Sequence, residues 1–413
     1  MAQKDWNAGI IRPVPVAPAG PYQNGAAPGV WTLDQVAYWQ KQGLWPIAGN
    51  VKPFDSTRIL IPYISTTYTA SFVLYNWDTN TVTSLGTQAT FYPAASGECC
   101  NIVIDPSKNI WLFGGAADTT SYKNFMYLAA GSTTPSYYRV VYQNYSSYGA
   151  YFSQITWNPS VNKCQVFTYP HYTVAQTQYT FTFSSTGATS NAVSGGPDGW
   201  QNPGLALLTT KNAAGQITQG SYIVGVGDSD YNAGNSFIWS DASPWTTPSW
   251  SSQSTQIAGN PSRSWVVGLP SNKALVICFS SIFVYVPSSN TWTDVTTTVN
   301  NAGGTTEAIT RAVTGMWDDV YCLYTSNGIK VVKGDPTGTI SWCTSLTSQF
   351  TGKTIYMAFG VGKDLYVLTS GTNPWYIAKV TFTDSGTYSI THRALSGLTN
   401  TTDNLDVSGL QYF

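Results

Sequence analysis

The sequence predicts an all-β chain: a seven-bladed β-propeller preceded by an extended N-terminal arm and one short helix. Three observations predict it. Charged residues make up 9% of the 413 positions, where soluble domains carry about 25%. Gly (37), Trp (16) and Tyr (27), with abundant Thr, Ser and Asn, take their place. That composition disfavours helix and suits strands and turns. From residue 51 onward, short apolar and β-branched runs alternate with turn chemistry. Finally, one plan recurs: an apolar strand, a Pro/Asn/Lys turn, a second apolar strand, a polar loop, and a third strand ending in a Thr/Gly turn.

Residues 1–30 are rich in Pro, Gly and Ala, with four prolines between Pro13 and Pro21. Such chain favours extended polyproline-like conformations and orders only against a partner. The start holds no apolar core of signal-peptide length, so the chain is expected to be made in a cytoplasm. No run approaches 18 apolar residues, so no helical membrane span is expected.

One helix is expected after the arm. Thr32 and Gln35 fit a capping box, and Asp34 places a negative charge in the first turn, where the helix dipole favours it. Leu33, Val36, Tyr38 and Trp39 give a broad aromatic-apolar face, Gly43 fits C′, and Leu44-Trp45-Pro46 ends the element. A helix of about ten residues is marginal alone. It must dock, either on its own domain or in a neighbour.

The string Gly29-Val30-Trp31-Thr32-Leu33-Asp34-Gln35-Val36-Ala37-Tyr38-Trp39, closing on Gly43-Leu44-Trp45-Pro46, resembles a short N-terminal module of tailed-bacteriophage structural and tail-fibre-type proteins. The likeness covers about 18 residues. It implies a virion component, assembled in the host cytoplasm, in which residues 1–50 fix the chain to the particle. Trp31, Leu33, Val36, Trp39, Leu44 and Trp45 are then the anchoring side chains.

The repeat is clearest at Ile102-Val103-Ile104-Asp105-Pro106-Ser107-Lys108-Asn109-Ile110-Trp111-Leu112-Phe113. It returns around Trp157-Asn158-Pro159, Leu269-Pro270-Ser271-Asn272-Lys273, Met316-Trp317-Asp318-Asp319 and Val361-Gly362-Lys363-Asp364. The outer turns repeat as well: Asp78-Thr79-Asn80-Thr81, Ser184-Ser185-Thr186-Gly187, Ser288-Ser289-Asn290-Thr291, Asp335-Pro336-Thr337-Gly338 and Thr383-Asp384-Ser385-Gly386. Units drawn on this pattern start near residues 52, 97, 150, 201, 262, 308 and 353. They average about 50 residues, near the length of kelch-type blades. Gly114-Gly115 resembles the paired glycine of kelch repeats in one unit only, so the implied propeller (51–413) is a divergent one. Regular helix signals are absent beyond residue 50. The alternating stretch Leu405–Phe413 is expected to add the strand that closes the ring against the first blade, removing open sheet edges.

Material for chemistry is sparse. A net charge of −1 excludes the basic face of a nucleic-acid binder. Two histidines, His171 and His392, make no His-rich metal centre. The six cysteines include no CxxC pair and read as small buried hydrophobes. No nucleophile elbow, P-loop or dinucleotide loop occurs. Acidic pairs stand at Asp228/Asp230 and Asp318/Asp319. Asp228, Asp230 and Asn232 alternate like the oxygen ligands of a calcium loop, although the glycine falls one place late and no Glu closes the site. A plain Asx turn explains them as well. No cofactor is otherwise expected, and the chain reads as non-enzymatic.

The aromatic clusters at 144–151 and 239–250 serve either blade packing or contact with sugar rings or another protein. The expected function is therefore a multi-copy, tail-associated or fibre-like virion protein acting by protein–protein interaction, with host surface glycan as a further partner. The alternatives are a capsid decoration protein and a carbohydrate-binding or carbohydrate-active propeller.

Overall fold

A computed structural model describes residues 32–41 and the strands named below, with the turns at 77–80, 132–135, 287–290, 346–354 and 385–387 and a few adjoining positions. Residues 1–31, 42–57, 89–99, 114–121, 142–149, 194–203, 229–234, 242–250, 259–263, 302–310, 314–319, 396–406 and several shorter connections lie outside the description.

After helix α1 (Leu33–Lys41), the chain is a succession of antiparallel meanders. The first sheet is β1 (Arg58–Thr66), β2 (Thr69–Asn76) and β3 (Thr81–Gln88). The second begins with β4 (Cys100–Ile104), β5 (Ile110–Phe113), β6 (Tyr122–Leu128) and β7 (Ser136–Val141). Between 150 and 193, strands pair two by two: β8 (Ala150–Phe152) with β11 (Thr168–Pro170), β9 (Thr156–Asn158) with β10 (Lys163–Gln165), and β12 (Gln178–Ser184) with β13 (Gly187–Val193). Four-stranded sheets follow. The next holds β14 (Gly204–Lys211), β15 (Ile217–Asp228), β16 (Asn235–Asp241) and β17 (Ser251–Ala258). Then come β18 (Ser264–Leu269), β19 (Lys273–Cys278), β20 (Ser281–Val286) and β21 (Thr291–Asp294), followed by helix α2 (Thr296–Asn301). The last two are β22 (Arg311–Val313), β23 (Val320–Tyr324), β24 (Ile329–Asp335) and β25 (Thr339–Ser345), and β26 (Ile355–Val361), β27 (Asp364–Thr369), β28 (Tyr376–Phe382) and β29 (Tyr388–Ala394). A final strand, β30 (Val407–Tyr412), joins the second sheet beside β4. First strands begin at 58, 100, 150, 204, 264, 311 and 355, each within six residues of a unit start read from the sequence.

Side chains alternate across a strand, and here both faces are buried. In the 264–294 sheet, Val267, Leu269, Leu275, Ile277, Ile282 and Val284 cluster with Val332 of the following sheet. The alternate residues Val266, Ala274, Val276, Phe283 and Tyr285 cluster with Leu208, Val224 and Val226 of the preceding one. The same division recurs in the last sheet. Leu365, Val367, Ala378 and Val380 meet Val320, Cys322 and Val331 of the sheet before it. Tyr366, Leu368 and Ile377 meet the first sheet, and that same cluster takes in Ile110, Leu112 and Met126 of the second. The first sheet therefore sits between the last and the second, which closes the circle. Meanders packed face to face in sequence order, with the first returning onto the last, define a β-propeller.

Ring closure departs from expectation in one respect. β30 runs beside β26 of the last sheet, but its ladder is parallel and to β4, in the second sheet. The strand it was expected to complete, β1, carries Pro62, which pairs with Phe72 of β2. Proline has no N–H, so it tolerates a ladder only where its nitrogen faces the free edge. β1 thus has one donor fewer at this position, and β30 bonds to β4 of the neighbouring sheet.

Helix α2 is also unexpected. Thr-Thr-Thr-Val-Asn-Asn has poor intrinsic propensity, but the Asp294 carboxylate accepts the Thr296 N–H at 2.8 Å and Val299 packs into the core. Local capping and burial override propensity.

The outer turns are built alike. In two of them a buried tyrosine hydroxyl meets the side-chain oxygen of the asparagine five residues on: Tyr75 to Asn80 at 2.8 Å and Tyr285 to Asn290 at 3.0 Å. Both asparagines are left-handed, with φ of 53° and 50°, which Asn tolerates better than other non-glycine residues. Asn80→Ala and Asn290→Ala should each cost about 1–2 kcal/mol, from the lost bond and the strained φ; chemical denaturation measures this. At Gly386, φ is +82°, and a Cβ would stand 2.7 Å from the Trp342 ring. Gly386→Ala is expected to cost about 1–3 kcal/mol by overpacking alone, with a matching fall in melting temperature.

The Tyr137 hydroxyl is buried with no hydrogen-bond partner, and burial pushes its pKa up to about 12. Tyr137→Phe should be neutral or stabilising by about 1 kcal/mol, because an unmet polar group leaves the core. The sign with pH follows. The unfolded chain ionises this phenol near its ordinary value of about 10 while the folded chain holds its proton, so stability falls as pH rises from 10 toward 12. Tyr137→Phe should flatten that slope.

Candidate functional site

Helix α1 is the candidate anchor. Its capping box forms as expected: the Gln35 N–H donates to Thr32 Oγ1 at 3.2 Å, and the Thr32 N–H donates to Gln35 Oε1 at 3.0 Å. The first turn closes with the Val36 N–H on the Thr32 carbonyl at 3.0 Å. Two orphan donors are thereby satisfied and the start is fixed. None of the helix's described side chains is buried. Val36, Ala37 and Trp39 are half-covered, and Tyr38 is 55% exposed. Tyr38 and Trp39 meet edge to face, with ring centroids 5.0 Å apart. Tyr38 thus stands open to water on a well-capped helix whose other described apolar side chains are partly covered.

Of the six anchoring residues, Val36 and Trp39 lie on this helix as expected. Leu33 opens it, and Trp31, Leu44 and Trp45 lie outside the described residues. Of the calcium-loop candidates, Asp228 ends β15, opposite Ser236 of β16, while Asp230 and Asn232 lie outside the description, as do Asp318 and Asp319. Among the described residues, no group of three or more His, Cys, Asp or Glu could hold a metal ion. Cys322 is buried, and desolvation raises its thiol pKa, making it an unreactive core residue. His392 lies against Phe350, and burial together with the nearby Lys353 charge lowers its pKa. No helix among the described residues is long and apolar enough to cross a membrane.

Trp77, Trp111 and Trp375 are core residues, consistent with aromatics serving blade packing. Among the tryptophans whose burial is described, Trp292 on β21 is the most exposed, at 38%. It rests edge-on against Phe283 at 5.1 Å. The clusters at 144–151 and 239–250 fall largely outside the description. In the sequence, Ser288-Ser289-Asn290-Thr291-Trp292 is only a faint echo of the S-x-D-x-G-x-T-W box of sialidase-type propellers, and nothing in it marks the ring as exposed.

No protein family matches the chain, and no curated protein does. Solved structures are similar in fold. A protein from Lactobacillus plantarum aligns at 11% identity and a TM-score of 0.36, covering 82% of each chain. The β-propeller domain of the Trilobed protease from Pyrococcus furiosus aligns at 9% identity and a TM-score of 0.43, over 83% of this chain and 97% of that one. Prolyl oligopeptidase B from Galerina marginata aligns at 11% identity and a TM-score of 0.45; this chain spans 51% of its length.

Proposed function

We propose that the chain is a non-enzymatic structural component of a bacteriophage virion, a tail-associated or fibre-like appendage. Residues 1–50 fix it to the particle, and a seven-bladed propeller projects as the binding module. The observation that carries this reading is α1: a helix with a complete capping box on which Tyr38 is 55% exposed and no described side chain is fully buried. Such a helix gains stability by laying that face into a groove of another protein. Deleting residues 1–50 should leave the propeller folded and abolish incorporation into particles. Trp39→Ala should weaken incorporation at least tenfold, because buried aromatic anchors dominate such interfaces. Normal incorporation of the truncated chain would sink the reading.

A second reading, binding of neutral host glycan, is supported by Trp292, since an exposed aromatic ring suits a sugar face. A glycan array with Trp292→Ala as control tests it. Cleavage of host polysaccharide, lost on changing Asp228 or Asp318, would overturn the non-enzymatic assignment.

A further inference from the structure

Strand β21 is the outer edge of its sheet, laddered to β20 alone, and its residues are exposed throughout. Side chains two apart share a face of a strand. Trp292 and Asp294 therefore stand together, opposite Tyr285 and Phe283 of β20. Phe283 meets the Trp292 ring edge-on at 5.1 Å, which makes that ring a supported aromatic platform. Asp294 Oδ1 accepts the Thr296 N–H, and among the described residues no cation pairs with this carboxylate. Asp294 is the one charged residue between Lys273 and Glu307. The N-terminal arm carries the complement. Arg12 is the one charged residue between Asp5 and Asp34, and prolines stand at 15, 18 and 21. A polyproline helix has three residues per turn, so Arg12, Pro15, Pro18 and Pro21 share one edge of it.

We propose that residues 12–21 of this chain dock on its own β21, with Pro15 on the Trp292 ring and Arg12 on the Asp294 carboxylate. Proline-rich segments are recognised on aromatic surfaces because their shape is set before binding. The indole N–H is a donor, and polyproline chain leaves its carbonyls unbonded. The spacings agree as well. One polyproline turn rises about 9 Å, strand positions two apart lie about 7 Å from each other, and the long arginine side chain spans the difference. So few contacts are weak between separate molecules. A tether raises the effective concentration to roughly millimolar, which favours the chain's own arm as the occupant. Residues 22–32 and 42–57, on either side of α1, span up to about 90 Å when extended, so the arm reaches its own propeller. The docked segment covers the ring that the glycan reading uses and leaves the anchoring side chains from Trp31 onward free. The inference rests on neither reading.

Photo-crosslinking of the dilute full-length chain tests it. Val16→benzoylphenylalanine puts the reactive ketone beside Pro15. After irradiation and trypsin, the link should fall in the peptide 274–311, which carries β21. Trp292→Ala should lower its yield at least fivefold, while Trp292→Phe, which keeps an aromatic face, should hold at least half of it. Asp294→Asn keeps an acceptor for the Thr296 N–H and removes only the charge. Arg12→Gln and Asp294→Asn should each lower the yield about threefold, and the double variant should fall no further, because both remove the same ion pair. Melting temperatures within about 2 °C of the parent show that the variants are folded. Links scattered over other peptides, or an unchanged yield in Trp292→Ala, would overturn the proposal. So would links found only between isotopically distinct copies in a mixture, which would make a second copy the occupant.

Discussion

Replacing Trp77 by alanine is expected to cost about 3–5 kcal/mol, the range for deleting a large buried aromatic, and to loosen the ring at one place. Trp77 follows β2 in the first sheet, but its surroundings come from the last. Its ring meets Tyr366 edge to face at 5.6 Å, and Tyr75 of its own sheet at 6.3 Å. The Arg393 guanidinium lies 4.3 Å from the ring centroid, and Arg393 Nη1 also donates to the Trp77 carbonyl. Burial raises the Tyr75 pKa, against the pull of the Arg393 charge. One side chain thus joins residues 316 positions apart. Because β30 gives the first sheet no ladder, the join between first and last sheets rests on these contacts and on the apolar cluster around them. Arg393→Ala should cost less, about 1–2 kcal/mol. The Trp77/Arg393 double-mutant cycle should show about 1–2 kcal/mol of coupling. Urea denaturation of the four proteins measures it, and additive single effects would show that Trp77 acts by volume alone. Trp292→Ala, on an exposed strand, is the control and should change stability little.

The repeat was legible because the signals that make it are local. A turn such as Asp78–Thr81 must hold a left-handed residue, and Asn supplies it cheaply; Asn80 and Asn290 do so. An apolar strand flanked by such turns recurs at each unit start, and the strands begin where those starts fall. The capping box at Thr32 and Gln35 is equally local, and its two reciprocal bonds form as read.

What was not legible is non-local. The parallel pairing of β30 with β4 joins strands some 300 residues apart, and no local signal in either marks the other as its partner. Helix α2 hides because its stability comes from the burial of Val299 and from the Asp294 carboxylate that accepts the Thr296 N–H, not from the helix propensity of its residues. What the proposed anchor face of α1 would dock against is beyond sequence for the same reason: an apolar face does not name its counterpart.

Lys330 is the strongest case of this kind, and its replacement should have the second large effect. It sits on β24 between Leu323 of β23 and Ser345 of β25, and is 0% exposed. Buried lysines are rare unless their ammonium is paired. Here Nζ donates to the main-chain oxygen of Asn300, in the last turn of α2. The bond spans two sheets: α2 follows the outer strand of one, and β24 lies inside the next. It also satisfies a helix-end carbonyl that would otherwise be orphaned. Lys330→Ala removes this donor and leaves a cavity, so a loss of about 3–5 kcal/mol is expected. Lys330→Met keeps most of the volume and removes the charge-assisted bond, and should lose about 1–3 kcal/mol. Asn300 separates main chain from side chain. Its Oδ1 is buried and has no partner, so Asn300→Ala should be close to neutral while the main-chain bond survives. If Lys330→Met proves as stable as the parent, the bond between α2 and β24 contributes nothing net, and the two sheets are joined by apolar packing alone.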